Sequence, residues 1–374
     1  MHSKIFPRNR RDFLRASAVT LAASTLPASL FATRETFANN SSASPSKSHR
    51  IILDTDPGVD DAIAIFLALR SPELHVEAVT PVCGNVPLSL TLPNALRLVE
   101  IAGRTDIPVA AGAATPLVRR LVTAKYAHGN NGLGGVDFPE PKLKPVSETA
   151  TELIRRIVRA NPGEISIVAI GPLTNVATVL KSDPTIAPLI KSIVIMGGSL
   201  SGGNVTPAAE FNFYVDPEAA RIVFDSGIPL TMVGLDVTRK VLIRDEQVRA
   251  LEAVQNPVSQ AAGKILRANF DRLHKTSNAV DFAMHDPLTV AQLVDPSVVT
   301  LKDFFVEIET TGELTAGQSL GYVHGPVRRS PPLETGLPAS DSPEAEFKPN
   351  AKVAVEVDPD KFFRLLLARL TSAA

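Results

Sequence analysis

Ile51-Ile52-Leu53-Asp54-Thr55-Asp56-Pro57-Gly58-Val59-Asp60-Asp61 is the stretch on which the reading of this chain turns. A short branched apolar run leads straight into four carboxylates within eight residues. The apolar run predicts a buried parallel strand. Residues 62–69, apolar nearly all round, predict a buried helix. Asp54 and Asp56 are two apart and therefore point the same way in an extended chain. Pro57-Gly58 then turns the chain, so that Asp60 and Asp61 fall in or near the first turn of the helix. The helix dipole offsets only about 0.3–1 kcal/mol of the repulsion for each of them. Several like charges at the edge of a core call for a cation, and oxygen-only donors favour Ca²⁺ or Mg²⁺.

Working outward, the same strand-then-helix rhythm repeats. Strands are predicted at 76–82, 165–170, 193–196, 229–233 and 352–357. Helices are predicted at 93–102, 152–160, 173–180, 217–224, 245–254 and 360–370. This alternation argues an α/β fold: a single Rossmann-like domain at 50–374 with a mostly parallel β-sheet and helices on both faces. Ligands in such sheets sit at the carboxyl ends of the strands. Residues 328–349 break the rhythm with prolines and acids and are expected to be a Pro-rich surface insertion.

Composition narrows the function. Lys+Arg 38 against Asp+Glu 39 gives a formal charge of −1, so there is no basic excess to attract nucleic acid. The single cysteine, Cys83, excludes an internal disulfide and any multi-cysteine metal site. Its strand context reads as a small core residue. No apolar run approaches the roughly 18 residues of a membrane span, so no stable membrane anchor is expected.

Arg10-Arg11-Asp12-Phe13-Leu14-Arg15, followed by a mildly apolar Ala/Ser/Thr stretch, has the order of a twin-arginine export signal. Residues 1–38 are read as that signal, with small-x-small cleavage at Thr36-Phe37-Ala38 or at Ala32. The Ser/Asn/Pro-rich residues 39–49 are read as a linker. The mature protein is thus expected to use the twin-arginine export machinery and to work in the periplasm.

The acidic cluster admits three other readings. Asp60 could cap the helix. An EF-hand loop has different spacing and a glutamate at its twelfth position, absent here. Asp54-Thr55-Asp56 could be the D-x-D nucleophile motif of a phosphatase, with Asp54 attacking phosphorus.

Further motifs favour one family. The run 54–61 after its apolar strand resembles the fingerprint of the inosine–uridine-preferring nucleoside hydrolases. Val82-Cys83-Gly84-Asn85 with Asn94-Ala95-Leu96, and the loop His128-Gly129-Asn130-Asn131-Gly132-Leu133-Gly134-Gly135, are similar to later blocks of that family. So are Gly171-Pro172-Leu173-Thr174-Asn175, the stretch from Met196-Gly197-Gly198 through Gly203-Asn204 to Glu210-Phe211-Asn212, and His285-Asp286-Pro287. The blocks occur in family order from about residue 50 to 370.

The resemblance implies hydrolysis of the N-glycosidic bond of a small-molecule ribonucleoside through an oxocarbenium-like transition state. It implies one Ca²⁺ held by Asp56, Asp61, Asp286 and the Ile170 carbonyl, with Asp56 as general base and His285 assisting the leaving base. Asp60 and Asn212 would reach the ribose 2′-hydroxyl, and Asn204 and Glu210 the 5′-hydroxyl. Asn85 is a further sugar contact, and His128 would assist from the other side. A dimer or tetramer is also implied. The alternative in another class is a non-catalytic nucleoside- or ribose-binding protein of the same fold. Two departures stand out: Arg239 follows Leu235-Asp236-Val237-Thr238 where the family often has His, and residues 269–275 carry no Tyr. With no Trp in the chain, tryptophan stacking on a purine is excluded.

Overall fold

The alternation in β1 (His49–Thr55) shows how the chain covers both faces of a parallel sheet. Ile51 and Leu53 enter one apolar layer, while Ile52 between them enters the other, and all three are fully buried. The structure is a computed structural model that describes residues 48–277, 282–323 and 348–372. The predicted export signal at 1–38, the linker up to residue 47 and the insertion up to residue 347 lie outside the described residues. Of the linker, His49 already belongs to β1.

The strands that follow are β2 (Leu74–Pro81), β3 (Ile165–Ala169), β4 (Ser192–Met196), β5 (Leu230–Val233), β6 (Leu242–Ile243), β7 (Phe282–Ala283), β8 (Val299–Ile308), β9 (Ser319–Tyr322) and β10 (Ala351–Val357). Eight of them form one sheet in the order β2-β1-β3-β4-β5-β10-β8-β9. The pairings from β2 to β10 are parallel, and β8 and β9 extend the edge antiparallel. β6 and β7 make a separate two-stranded ladder. One layer of the core is supplied by the helices Val59–Leu69, Leu88–Ile101, Asp245–Glu252, Pro257–Ser277, His285–Val294 and Pro359–Thr371. The opposite layer comes from Ala150–Ala160, Thr174–Ser182 and Pro217–Phe224.

The predicted elements and the observed ones agree in kind, with instructive differences at their ends. The first helix begins at Val59 because Gly58 is its N-cap and its N–H reaches the Asp61 carboxylate at 2.9 Å. Asp61, rather than Asp60, therefore closes the helix start. Every residue of this helix is buried. Side chains such as Ile63, Phe66 and Leu67 each contribute about 1.5–3 kcal/mol on burial, which offsets the placing of two acids in its first turn. The second helix starts at Leu88 and carries Pro93 inside it, whereas the sequence reading starts the helix there. Among the described residues no helix is long and apolar enough to cross a membrane.

Candidate active site

The strand order reverses between β1 and β3, and a parallel sheet opens a crevice at such a switch point. Asp54 of β1 pairs with Thr80 on one side and Ala169 on the other, and Ala169 pairs in turn with Ile195. The residues that follow, Asp56, Ile170 and Met196, therefore emerge together at the same edge. Above them lies a cavity of about 150 Å³ whose wall includes Asp60, Asn85, His128, Ile170, Asn204, Glu210, Asn212, His285 and Asp286. All nine were expected from sequence. Asp56 and Asp61 are fully buried and do not line the wall.

Asp54 is equally buried, but its Oδ2 accepts from Thr80 Oγ1 at 2.6 Å and from Asn175 Nδ2 at 2.8 Å, and the residue does not line the cavity. Its Oδ1, like that of Asp56, is buried without a partner, while its Oδ2 is tied to β2 and to the helix Thr174–Ser182. Cys83 is fully buried, and burial first and the Asp56 charge second push its thiol up to about 12. It is a core residue, as expected.

The acidic cluster is held open by backbone and amide donors. Asp61 Oδ1 accepts from Thr55 Oγ1 at 2.6 Å and from the Asp56 N–H at 3.1 Å, and its Oδ2 from the Gly58 N–H and Asn85 Nδ2, each at 2.9 Å. Asp56 Oδ2 accepts from the Asn85 N–H at 2.6 Å, while Asp56 Oδ1 is buried without a partner. Asn85, expected as a sugar contact, is thus also the brace between two carboxylates. Gly58 is obligatory here, because a Cβ on it would lie 2.5 Å from His128 Nδ1 and 2.7 Å from Asn85 Nδ2.

Burial dominates the titration of the cluster. Desolvation, then the Asp61 charge, raises Asp60 to about 8. Asp56 and Asp286 are raised well above the ordinary carboxylate range, by burial and then by Asp61 and Asp60 respectively. Asp61 is also raised by burial, an effect opposed by its bonds to Thr55 and Gly58. Ligand oxygens of Asp60, Asp61 and Asp286 lie within 4.8 Å of one another. That spacing is about twice a Ca²⁺–oxygen distance of roughly 2.3–2.6 Å. The donors are all hard oxygens and the unpartnered Asp56 Oδ1 lies alongside, so the residues fit a divalent cation. The geometry brings Asp60 into the metal-capable group, where the sequence reading had placed Asp56 and kept Asp60 for the sugar.

The opposite wall is built by a loop and a one-turn helix, Phe211–Val215. Glu210 caps that helix, accepting from the N–H groups of Asn212 and Phe213 and from that of Gly198 at 3.0 Å. Burial raises Glu210 to about 7 against those bonds. Asn212 Nδ2 donates to the carbonyls of Ile170 and Met196 at 3.1 Å, which leaves one lone pair on the Ile170 oxygen for another partner. Asn204 Oδ1 accepts from the Phe211 N–H at 2.9 Å.

Both histidines are neutral at pH 7. Burial, then His285 and Arg272, lowers His128 to about 3, and burial, then Arg239, lowers His285 to about 4. His128 Nδ1 accepts from the Val59 N–H at 3.1 Å, so its ring carries its proton on Nε2. His285 Nδ1 lies 2.7 Å from Thr238 Oγ1.

The remaining wall residues are Ala124, Tyr126, Ala127, Met196, Phe211 and Phe282; Met196 and Phe211 belong to motifs already visible in the sequence, and the other four do not. Tyr126 sits in the short helix Lys125–His128, whose carbonyls at Tyr126 and Ala127 accept from the Arg272 guanidinium. Arg272 falls inside the stretch 269–275, which carries no Tyr. The aromatic element of this pocket therefore comes from a different segment.

The family model for inosine-uridine preferring nucleoside hydrolases matches residues 51–364. The chain belongs to that family. It is accordingly a hydrolase of N-glycosyl bonds. A pyrimidine-specific ribonucleoside hydrolase, RihA, of Salmonella gallinarum is 44% identical over 322 residues, covering 86% of this chain and 97% of the relative. Its counterpart from Escherichia coli O1:K1 is 45% identical with the same coverage. Among solved structures, a plant nucleoside hydrolase aligns with a TM-score of 0.77 at 36% identity, covering 87% of this chain and all of the other. A purine-preferring ribonucleoside hydrolase from Gardnerella vaginalis aligns with a TM-score of 0.76 at 31% identity, covering 86% and 98%. The mostly parallel sheet and its flanking helices are thus the nucleoside hydrolase fold.

Proposed function

We propose that this protein hydrolyses the N-glycosidic bond of ribonucleosides to ribose and free base, dependent on Ca²⁺, with pyrimidine nucleosides preferred. The observation that carries the reading is the buried group of Asp60, Asp61 and Asp286, two of which, Asp60 and Asp286, line a cavity whose wall also carries Asn85, His128, Asn204, Glu210, Asn212 and His285. The base preference is supported by the identity to pyrimidine-specific relatives and by the absence of Trp for purine stacking.

Asp60, Asp61 and Asp286 would hold the cation together with Asp56 and the Ile170 carbonyl. When bound, Ca²⁺ supplies Lewis acidity towards a water and orients ribose hydroxyls. The chain's own residues do the rest. Asp56 Oδ1 accepts the proton of the attacking water as its oxygen bonds to the anomeric carbon. Asp60 and Asn212 hold the 2′-hydroxyl, and Asn204 and Glu210 the 5′-hydroxyl, so the sugar is fixed as it gains positive charge. His285, with neutral His128 opposite, offers a proton to the base as the glycosidic bond breaks.

The Arg10-Arg11 segment supports export by the twin-arginine route to the periplasm. The family resemblance supports a dimer or tetramer. The deciding experiment incubates purified protein with uridine, cytidine and inosine in calcium buffer and measures ribose. Ribose release, fastest from the pyrimidine nucleosides, is expected. Saturable binding without ribose would instead indicate a binding protein.

A further inference from the structure

Residues 235–239, the Leu-Asp-Val-Thr-Arg stretch after β5, take no part in the reaction above, yet their side chains contact both the loop before Asn204 and His285. Asp236 accepts from the Leu200 N–H at 2.8 Å and from Ser201 Oγ at 2.6 Å, and the Arg239 guanidinium donates to the Gly203 carbonyl. These three bonds fasten the loop that leads into Asn204. Thr238 points elsewhere, to His285 Nδ1 at 2.7 Å.

Thr238 is fully buried, and His285 is the only side-chain partner of its hydroxyl among the described residues. A buried hydroxyl with one partner must give that partner its proton, or leave the proton unsatisfied. Nδ1 is therefore the acceptor, and the neutral ring carries its hydrogen on Nε2. That hydrogen is then the ring's donor, on a side chain that lines the cavity. The backbone around His285 is fixed independently, since Met284 N–H donates to the Val241 carbonyl at 2.9 Å and β6 pairs with β7. Loss of the Thr238 hydroxyl would free the ring without moving the chain.

We propose that Thr238 is a positioning residue that sets the tautomer and orientation of His285 towards the departing base. This rests on the reading of His285 given above. The test compares Thr238→Val, which is nearly isosteric, with Thr238→Ser in the calcium-loaded protein, using uridine and a nitrophenyl riboside whose leaving group needs no proton. In Thr238→Val, kcat for uridine is expected to fall about tenfold with KM changed by less than about twofold, and the nitrophenyl riboside to be cleaved at the wild-type rate. Thr238→Ser should restore uridine turnover. Nitrogen-15 spectra of the imidazole should show an unprotonated Nδ1 in wild type and in Thr238→Ser, and a tautomer mixture in Thr238→Val.

Equal losses on both substrates, or a serine variant as slow as the valine one, would overturn the proposal. So would a further loss when Thr238→Val is added to His285→Ala. Unchanged uridine turnover in His285→Ala alone would instead refute the role of His285 itself, so the two failures can be told apart.

Discussion

The backbone N–H of Asn85 lies 2.6 Å from Asp56 Oδ2, and this one bond turns the other oxygen, Oδ1, into a buried acceptor with no partner. A buried carboxylate held by one oxygen and idle on the other is costly for folding and suited to taking a proton. In Asp56→Asn the Asn85 bond survives through the amide oxygen, while proton acceptance is lost. Turnover of uridine should fall by about 10²–10⁴, with the melting temperature unchanged or raised, because a buried charge repelled by Asp61 and Asp60 has gone. Steady-state kinetics with a thermal melt check both halves, and near-wild-type turnover would defeat the role of Asp56.

Gly84 exists to let Asp56 in. A Cβ at Gly84 would lie 2.0 Å from Asp56 Oδ2 and 2.8 Å from Pro172 Cδ, with no flexible side-chain end to give way. Gly84→Ala is therefore expected to lose activity and to cost about 1–3 kcal/mol in stability from overpacking. Chemical denaturation measures the second effect. A variant as stable and active as wild type would mean that the floor of the cavity is softer than described.

The raised carboxylates fix the sign of the pH dependence. Asp60 titrates at about 8 in the cation-free fold and near 3.8 as a free carboxyl, so between those values the folded state binds more protons than the unfolded one. Stability of the metal-free protein should then fall as pH rises from about 6.5 to 8, with Asp54 and Glu210, both raised to about 7, adding to the decline. Below about 6.5 the lowered His128 and His285 oppose it. Calcium competes with the protons of the cluster and should lessen the decline. At pH 7 its binding should release about one proton or more. Calorimetry in two buffers of different ionisation enthalpy reads this directly, and a buffer-independent heat would contradict it.

Tyr126 is 64% exposed although it belongs to the cavity wall. A ring at a cavity mouth gains cover only when something lies against it, so it should contribute to binding equally before and during reaction. Tyr126→Ala is expected to raise KM for uridine about three- to tenfold with kcat unchanged. A loss confined to kcat would mean that the ring acts on the transition state.

What the sequence disclosed and what it hid follow physical lines. The β1 carboxylates, the glycine-rich loops and the asparagines were legible because each is a polar or backbone-permissive residue placed beside an apolar run, and such placement has few structural uses. The edge strands β8 and β9 were not, since half-exposed antiparallel strands such as Val299–Ile308 lack the continuous apolar run of a central strand. The grouping of Asp60 with Asp61 and Asp286 was hidden because adjacent residues on one helix give no hint of which carboxylate turns towards a residue more than two hundred positions away. Thr238, Tyr126 and Phe282 were hidden for the same reason. Their residue types are ordinary, and only the fold makes them neighbours of the site.

Central to the account is a divalent cation at the acidic floor on which nucleoside hydrolysis depends. The most direct measurement is ribose release from uridine by the wild-type protein, stripped of metal with a chelator and then titrated with Ca²⁺. The account predicts that turnover is lost on stripping and returns in step with the binding of one Ca²⁺ per chain. Undiminished ribose release from protein shown by elemental analysis to be metal-free would contradict it.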